Sequence, residues 1–283
     1  MTIEPSLTAL TAAAARAAHL IVDHEPRIFA DTMAQPLLGD RADELLAYHR
    51  AQGQHPILAS ARAQVVCRAR FTEDRLAAAV ARGVDQHLML GAGLDTFAYR
   101  SNLAARVRTF EVDQPATQDW KRRALADAGI TAHGDVVQVR TDFADDALAP
   151  ALTAAGFDAA RPAFVSWLGV SMYLTPEAIG KTLDVVASLA SGSELVADYM
   201  LADDLRDDVG RLYAQQVSAV AAQHGEPWRS AFSPDEMART LTARALVVRE
   251  QADQEHAIDA ALWRRIDALA PSRLAMLVHA SVG

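Results

Sequence analysis

The sequence predicts an α/β fold: a mostly parallel sheet covered by helices on both faces, preceded by a helical N-terminal segment. Three observations carry this. Up to residue 85 the apolar residues recur at helical spacing. Beyond it, short apolar runs alternate with helical stretches, the pattern of parallel strands joined by crossover helices. The first of those runs, His87 to Leu90, breaks at Gly91-Ala92-Gly93, a turn at the carboxyl end of a strand, where open α/β sheets bind their ligands.

Taken in order, the chain opens with an alanine-rich helix, continues through Ile28 to Leu38, and then shows a helical period from Ala59 to Arg82, closed by Gly83 as a C-cap. Residues 1–85 are therefore expected to form a helical cap and residues 86–283 a core. Seven strands are expected: His87 to Leu90, Val107 to Glu111, Val136 to Arg140, Ala163 to Trp167, Glu194 to Asp198, Leu246 to Glu250 and Met276 to Ser281. Pro115 to Ala128 and Thr175 to Ala190 read as helices between them. Thr175 suits an N-cap and Pro176 the first helical position, which leaves 167–174 as the loop at the mouth of the fourth strand. About residues 200–232 read as a helical lid insertion. It carries the acidic run Asp203, Asp204, Asp207 and Asp208, read as a solvated face or lid, and ends in the loop Gly225 to Ser230; Ser233-Pro234-Asp235-Glu236 then opens a helix.

With 51% apolar residues over 283 positions the chain can bury a large core, and a net charge of -9 with a pI near 5.4 speaks against nucleic-acid or anionic-membrane partners. Met1 to Leu20 lacks the basic and apolar regions of a secretory signal. The most apolar stretch, Phe164 to Leu174, is far short of the ~20 residues of a membrane span. A cytoplasmic protein is expected. The lone Cys67 forbids an internal disulfide and reads as a small buried hydrophobe.

Glycines at 91 and 93 allow a sharp turn and close approach of a ligand to the backbone. A dinucleotide fingerprint would continue to Gly or Ala at position 96, but the residue is Thr96, so a mononucleoside-like ligand fits better. Asp113 lies about 20 residues beyond Gly93, the spacing at which a strand-end carboxylate accepts from ribose hydroxyls. Pro115 stops the strand there, placing Glu111 and Asp113 at the crevice end of the sheet.

Three ordered motifs then coincide: Leu90-Gly91-Ala92-Gly93-Leu94-Asp95-Thr96, Phe110-Glu111-Val112-Asp113-Gln114-Pro115 and Trp167-Leu168-Gly169-Val170-Ser171-Met172-Tyr173-Leu174. In order and spacing the chain resembles the bacterial S-adenosylmethionine-dependent methyltransferases related to leucine carboxyl methyltransferase, from Ala15-Arg16-Ala17 to the Gly225-Glu226-Pro227-Trp228 loop and the closing strand. The resemblance implies a class I methyltransferase fold, a Rossmann-like seven-stranded sheet with its last strand antiparallel and an N-terminal helical cap. It also implies S-adenosyl-L-methionine as cofactor, with S-adenosyl-L-homocysteine as product. By position, Gly91, Ala92 and Gly93 would lie against the cofactor, Asp113 would hold the ribose, and Asp142-Phe143 the adenine. Arg70 would clamp the methionine carboxylate, a task suited to a guanidinium fork, with Arg68 as second choice. Arg16 would reach over the site from the cap. One departure is Leu168, where the carboxyl methyltransferase branch has a glutamate that reaches the cofactor; this favours a small-molecule branch over a protein-terminus methylator.

Methyl transfer from a sulfonium is an in-line displacement, so the protein's task is alignment in a dry cleft. A carboxylate acceptor is already ionised at neutral pH, whereas a hydroxyl benefits from a general base. Tyr173 is the candidate catalytic residue, orienting the acceptor through its hydroxyl, and Met172, Tyr199 and Trp228 are candidates to line the acceptor pocket with Arg16. His224 is the one histidine placed to serve as a base. His19, His24, His49, His55 and His133 lack metal-ligand spacing, and no metal is expected. The expected activity is O-methyl transfer to a carboxylate or hydroxyl of a small metabolite. Two alternatives stay open: a non-catalytic cofactor-binding module, and a nicotinamide oxidoreductase, which Thr96 and the lack of a lysine four residues after Tyr173 disfavour.

Overall fold

The structure, a computed structural model, describes residues 6–141 and 148–283. The chain opens with α1 (Leu7–Val22), capped by Ser6 Oγ, which accepts from Ala9 N, and continues through the short α2 (Ala34–Leu37), α3 (Ala42–Gln52) and the long α4 (Pro56–Ala81). Helix α4 starts three residues before the apolar period becomes visible, because Pro56 takes the first helical position and the His55 side chain accepts from Ile57 N.

The alternating part follows as β1 (Gln86–Leu90), a four-residue α5 (Phe97–Arg100), β2 (Arg108–Asp113), α6 (Pro115–Asp127), β3 (Val136–Arg140), α7 (Leu148–Ala154), β4 (Phe164–Trp167) and α8 (Pro176–Ala187). Then come β5 (Glu194–Met200), α9 (Asp208–Gln223), α10 (Pro234–Thr242), β6 (Leu246–Ala252), the short α11 (Gln254–Ala257) and β7 (Ala275–Val282). All seven expected strands are present. Thr175 caps α8 and Ser233 with Glu236 forms a complete capping box on α10, both as the residue types require. Helix α5 has no sequence signature, since four residues are too few to show a period.

The sheet order is β3-β2-β1-β4-β5-β7-β6. Strands β1 to β5 pair in parallel, and β7 inserts antiparallel between β5 and β6. This is the class I methyltransferase arrangement. Strand alternation divides the core between two faces. Met89, Phe164, Val196 and Leu277 pack with Val66, Phe71 and Leu76 of α4. Leu88, Val165, Leu195 and Val278 pack with Ile179 and Leu183 of α8 and Met237 and Leu241 of α10. Both faces are covered, as an apolar central sheet demands. Cys67 sits wholly buried in the first of these layers, where burial pushes its thiol up to about 12.

The acidic run of the insertion is more than a solvated face. Asp207 caps α9 by accepting from Gly210 N, and its other oxygen accepts from Arg273 N. The loop after α9 folds back onto the turn beyond β4: Arg229 N and Ser230 N both donate to Met172 O.

Candidate active site

The strand order reverses between β1 and β4, and the crevice beyond their carboxyl ends is the position where such sheets bind ligands. A cavity of about 730 Å³ opens there. Its floor is the Gly91–Leu94 turn, one wall is Leu168 to Leu174, and α1, α4, α9 and the 225–229 loop close over it.

The turn is held from below and from the side. Gly91 N and Ala92 N both donate to Val112 O at 2.9 and 3.0 Å, and Gly91 has φ +71°. A Cβ on Gly91 would run into Val170 Cγ2, so the residue must be glycine on steric as well as conformational grounds. Gly93 N donates to Asp113 Oδ2 at 2.6 Å, while Asp113 Oδ1 accepts from Gln114 N at 2.7 Å. A carboxylate offers about four acceptor sites, so the two backbone bonds leave Asp113 with capacity toward the cavity it lines. Burial raises the Asp113 carboxyl above its ordinary value despite these two bonds. Glu111, expected beside it, turns away and forms a buried pair with Lys121 at 2.8 Å.

Thr96, which spoils a dinucleotide fingerprint, has a local task. Its hydroxyl donates to Asp31 Oδ1 at 2.7 Å, and Asp31 Oδ2 accepts from Arg16 Nε at 2.7 Å. Arg16 also donates to Leu94 O at 2.6 Å. The cap is thereby tied to the glycine turn, and Arg16 lines the cavity already paired.

Two expected residues are corrected. Arg70 is half-exposed, paired with Asp74 one helical turn on, and away from the cavity; Arg68 is the α4 arginine that lines it. The reason is helical geometry: Ala61, Gln64, Val65 and Arg68 share the face toward the cavity, and a residue two positions on lies about 200° around the helix. Arg68 donates to the fully buried Asp198 at 3.1 Å, and Asp198 Oδ1 in turn accepts from Gly169 N at 2.6 Å. Tyr199 likewise does not reach the cavity. Strand alternation turns it to the α8–α10 face, where its hydroxyl donates to Gln251 Oε1 at 2.6 Å, and its neighbour Met200 takes the lining position.

Leu168, Met172, Tyr173 and Trp228 all line the cavity. Burial, with the charge of Glu226 adding, raises the Tyr173 phenol above its ordinary value, so it stays protonated and can donate a hydrogen bond at neutral pH. His224 is exposed, bonds to Val220 O and lies outside the lining. Asp142 and Phe143 lie outside the described residues. The residues without a motif signal are Asp198, Tyr213 and Glu226: the first is a strand residue, the second sits mid-helix in the insertion, and only the loop around Glu226 is legible. Among the described residues no group of three or more His, Cys, Asp or Glu could hold a metal ion, and no helix is long and apolar enough to cross a membrane.

Comparison with known proteins bears on the family and the fold. Residues 9–187 match the family model for leucine carboxyl methyltransferase. The Bacillus subtilis (strain 168) protein YktD, whose name places it among S-adenosyl-L-methionine-dependent methyltransferases, is 30% identical over 303 aligned residues, covering 98% of each chain. A similarly named Mycobacterium avium (strain 104) protein is 38% identical over 148 residues, half of this chain and 46% of its own length. A crystal structure of a DUF574 family protein from Streptomyces avermitilis superposes with a TM-score of 0.61 at 20% identity, covering 95% of this chain and 97% of that one, which shows a shared fold.

Proposed function

The chain belongs to the leucine carboxyl methyltransferase family and is an S-adenosyl-L-methionine-dependent methyltransferase; from that premise we propose that it transfers the methyl group to an oxygen, a carboxylate or hydroxyl, of a small metabolite. The observation that carries the placement of the cofactor is the clamp between Gly93 N and Asp113 Oδ2 at the mouth of the cavity.

In this reading the turn of Gly91, Ala92 and Gly93 gives the cofactor a surface free of side chains, and the remaining lone pairs of Asp113 accept from its ribose hydroxyls. Arg68, oriented by Asp198, receives the methionine carboxylate through its guanidinium fork. Asp142 and Phe143 keep the adenine role that the family resemblance implies. When bound, the cofactor supplies an electrophilic methyl on a sulfonium. The chain's own contribution is alignment: α9 and the 225–229 loop exclude water, and the protonated Tyr173 hydroxyl donates to the acceptor. With His224 outside the cavity, the described histidines offer no base there, which favours an acceptor oxygen that is already acidic. We further propose residues 1–85 as a cap and about 200–232 as a lid.

The test is calorimetric titration with S-adenosylhomocysteine, with NAD in a parallel run, followed by mass spectrometry of a panel of acids and phenols incubated with the cofactor. Binding of S-adenosylhomocysteine alone and a 14 Da gain on an oxygen are expected for this chemistry, a methyl replacing a proton. Binding of NAD, or methylation only of nitrogen or carbon, would overturn the proposal.

A further inference from the structure

The acceptor half of the cavity carries an unbalanced charge. Tyr173, Tyr213 and Trp228, with Met172 and Met200, make an aromatic and thioether wall. Burial, with Tyr173 beside it, pushes the Tyr213 phenol up to about 12, so both tyrosines are neutral. Among the described residues three acidic side chains line the cavity, and two of them, Asp95 and Asp113, belong to the glycine turn and the end of β2. The third, Glu226, stands in the late loop. Its Oε1 accepts from Ser6 Oγ at 2.6 Å, and its Oε2 is buried without a hydrogen-bond partner among the described residues.

The cations of the cavity do not answer it. Arg16 is paired with Asp31 and Arg68 with Asp198, while Arg229, which also lines the cavity, is exposed, where water screens it. A carboxylate among aromatic rings with one oxygen unmatched favours a ligand group that donates a hydrogen bond or carries positive charge, and the ring faces add to the attraction for a cation. We infer that Glu226 is the residue that selects the acceptor: the substrate is an aromatic or similarly flat apolar molecule that presents a hydroxyl or ammonium group to Glu226, and a carboxylate at that position is rejected. This rests on the methyltransferase reading of the cavity.

The test uses two probes with the same phenol ring and opposite side-chain charge, tyramine and para-hydroxyphenylacetate, titrated into the protein saturated with S-adenosylhomocysteine. Tyramine is expected to bind at least about tenfold tighter, and Glu226→Gln to bring the two within about threefold while S-adenosylhomocysteine affinity stays unchanged. Equal or tighter binding of the anion, no binding of either probe, or a preference that survives in E226Q would overturn the inference while leaving the cofactor site intact. Should E226Q fail to fold, the wild-type pair decides alone. Failure of S-adenosylhomocysteine itself to bind would remove the underlying reading and the inference with it.

Discussion

Replacing Asp113 by alanine separates a functional carboxylate from a structural one. Its two oxygens hold Gly93 N and Gln114 N, so a purely structural view predicts a loss of stability. The structure predicts otherwise. Gln114 is exposed and Gly93 lines an open cavity, so water replaces both lost bonds. Burial also raises the carboxyl above its ordinary value, which means the site holds the charge at a cost when no ligand is present. Relief of that cost offsets the lost bonds, and the change in unfolding free energy should stay within about 1 kcal/mol. Cofactor binding loses two ribose hydrogen bonds to a charged acceptor, worth roughly 1.5–3 kcal/mol each, hence a weakening of about a hundredfold to ten-thousandfold. Urea denaturation and calorimetry with S-adenosylhomocysteine measure the two quantities on one sample. Unchanged affinity in Asp113→Ala, or a stability loss above about 3 kcal/mol, would refute the reasoning.

Three further outcomes are expected. Gly91→Ala combines left-handed strain of about 1–2 kcal/mol with overpacking against Val170, and adding Val170→Ala should restore the packing part while leaving the backbone part, read by urea denaturation; full recovery in the double variant would refute the φ argument. Arg68→Lys, which loses the fork, should weaken S-adenosylhomocysteine about tenfold or more, whereas Arg70→Met should leave it unchanged; the reverse result would return the clamp to Arg70. The buried imidazoles of His49 and His87 are both lowered to about 4, by burial above all, from 6.5. At pH 5 they are therefore neutral in the folded chain and charged in the unfolded one. Stability from these two groups is complete above about 6.5 and falls as pH drops toward 4, by about 2 kcal/mol per unit near pH 5; His87→Gln should roughly halve that slope in thermal unfolding.

What the sequence determined by itself is what short-range chemistry encodes. Apolar runs alternating with helical periods specify parallel strands and crossovers, Thr175-Pro176 and Ser233-Pro234 specify helix starts, and a Gly-x-Gly turn followed at strand-end spacing by Asp113 specifies the turn and the carboxylate that meet at the crevice. These signals are local, so each residue carries its own. The tertiary structure alone decided which side chains face the crevice. Arg68 rather than Arg70 follows from the rotation of α4 against the sheet, and Met200 rather than Tyr199 from the pleat of β5; a shift of one or two residues reverses each answer. Thr96 looks like a damaged fingerprint until Asp31 and Arg16, far away in sequence, are seen bonding around it. Glu226 and Tyr213 carry no motif because their placement depends on how the insertion folds back over the turn after β4, a contact made between segments nearly 60 residues apart. Sequence fixes where the backbone must bend; which charge ends up unmatched in a cavity is settled only when every neighbour has been counted.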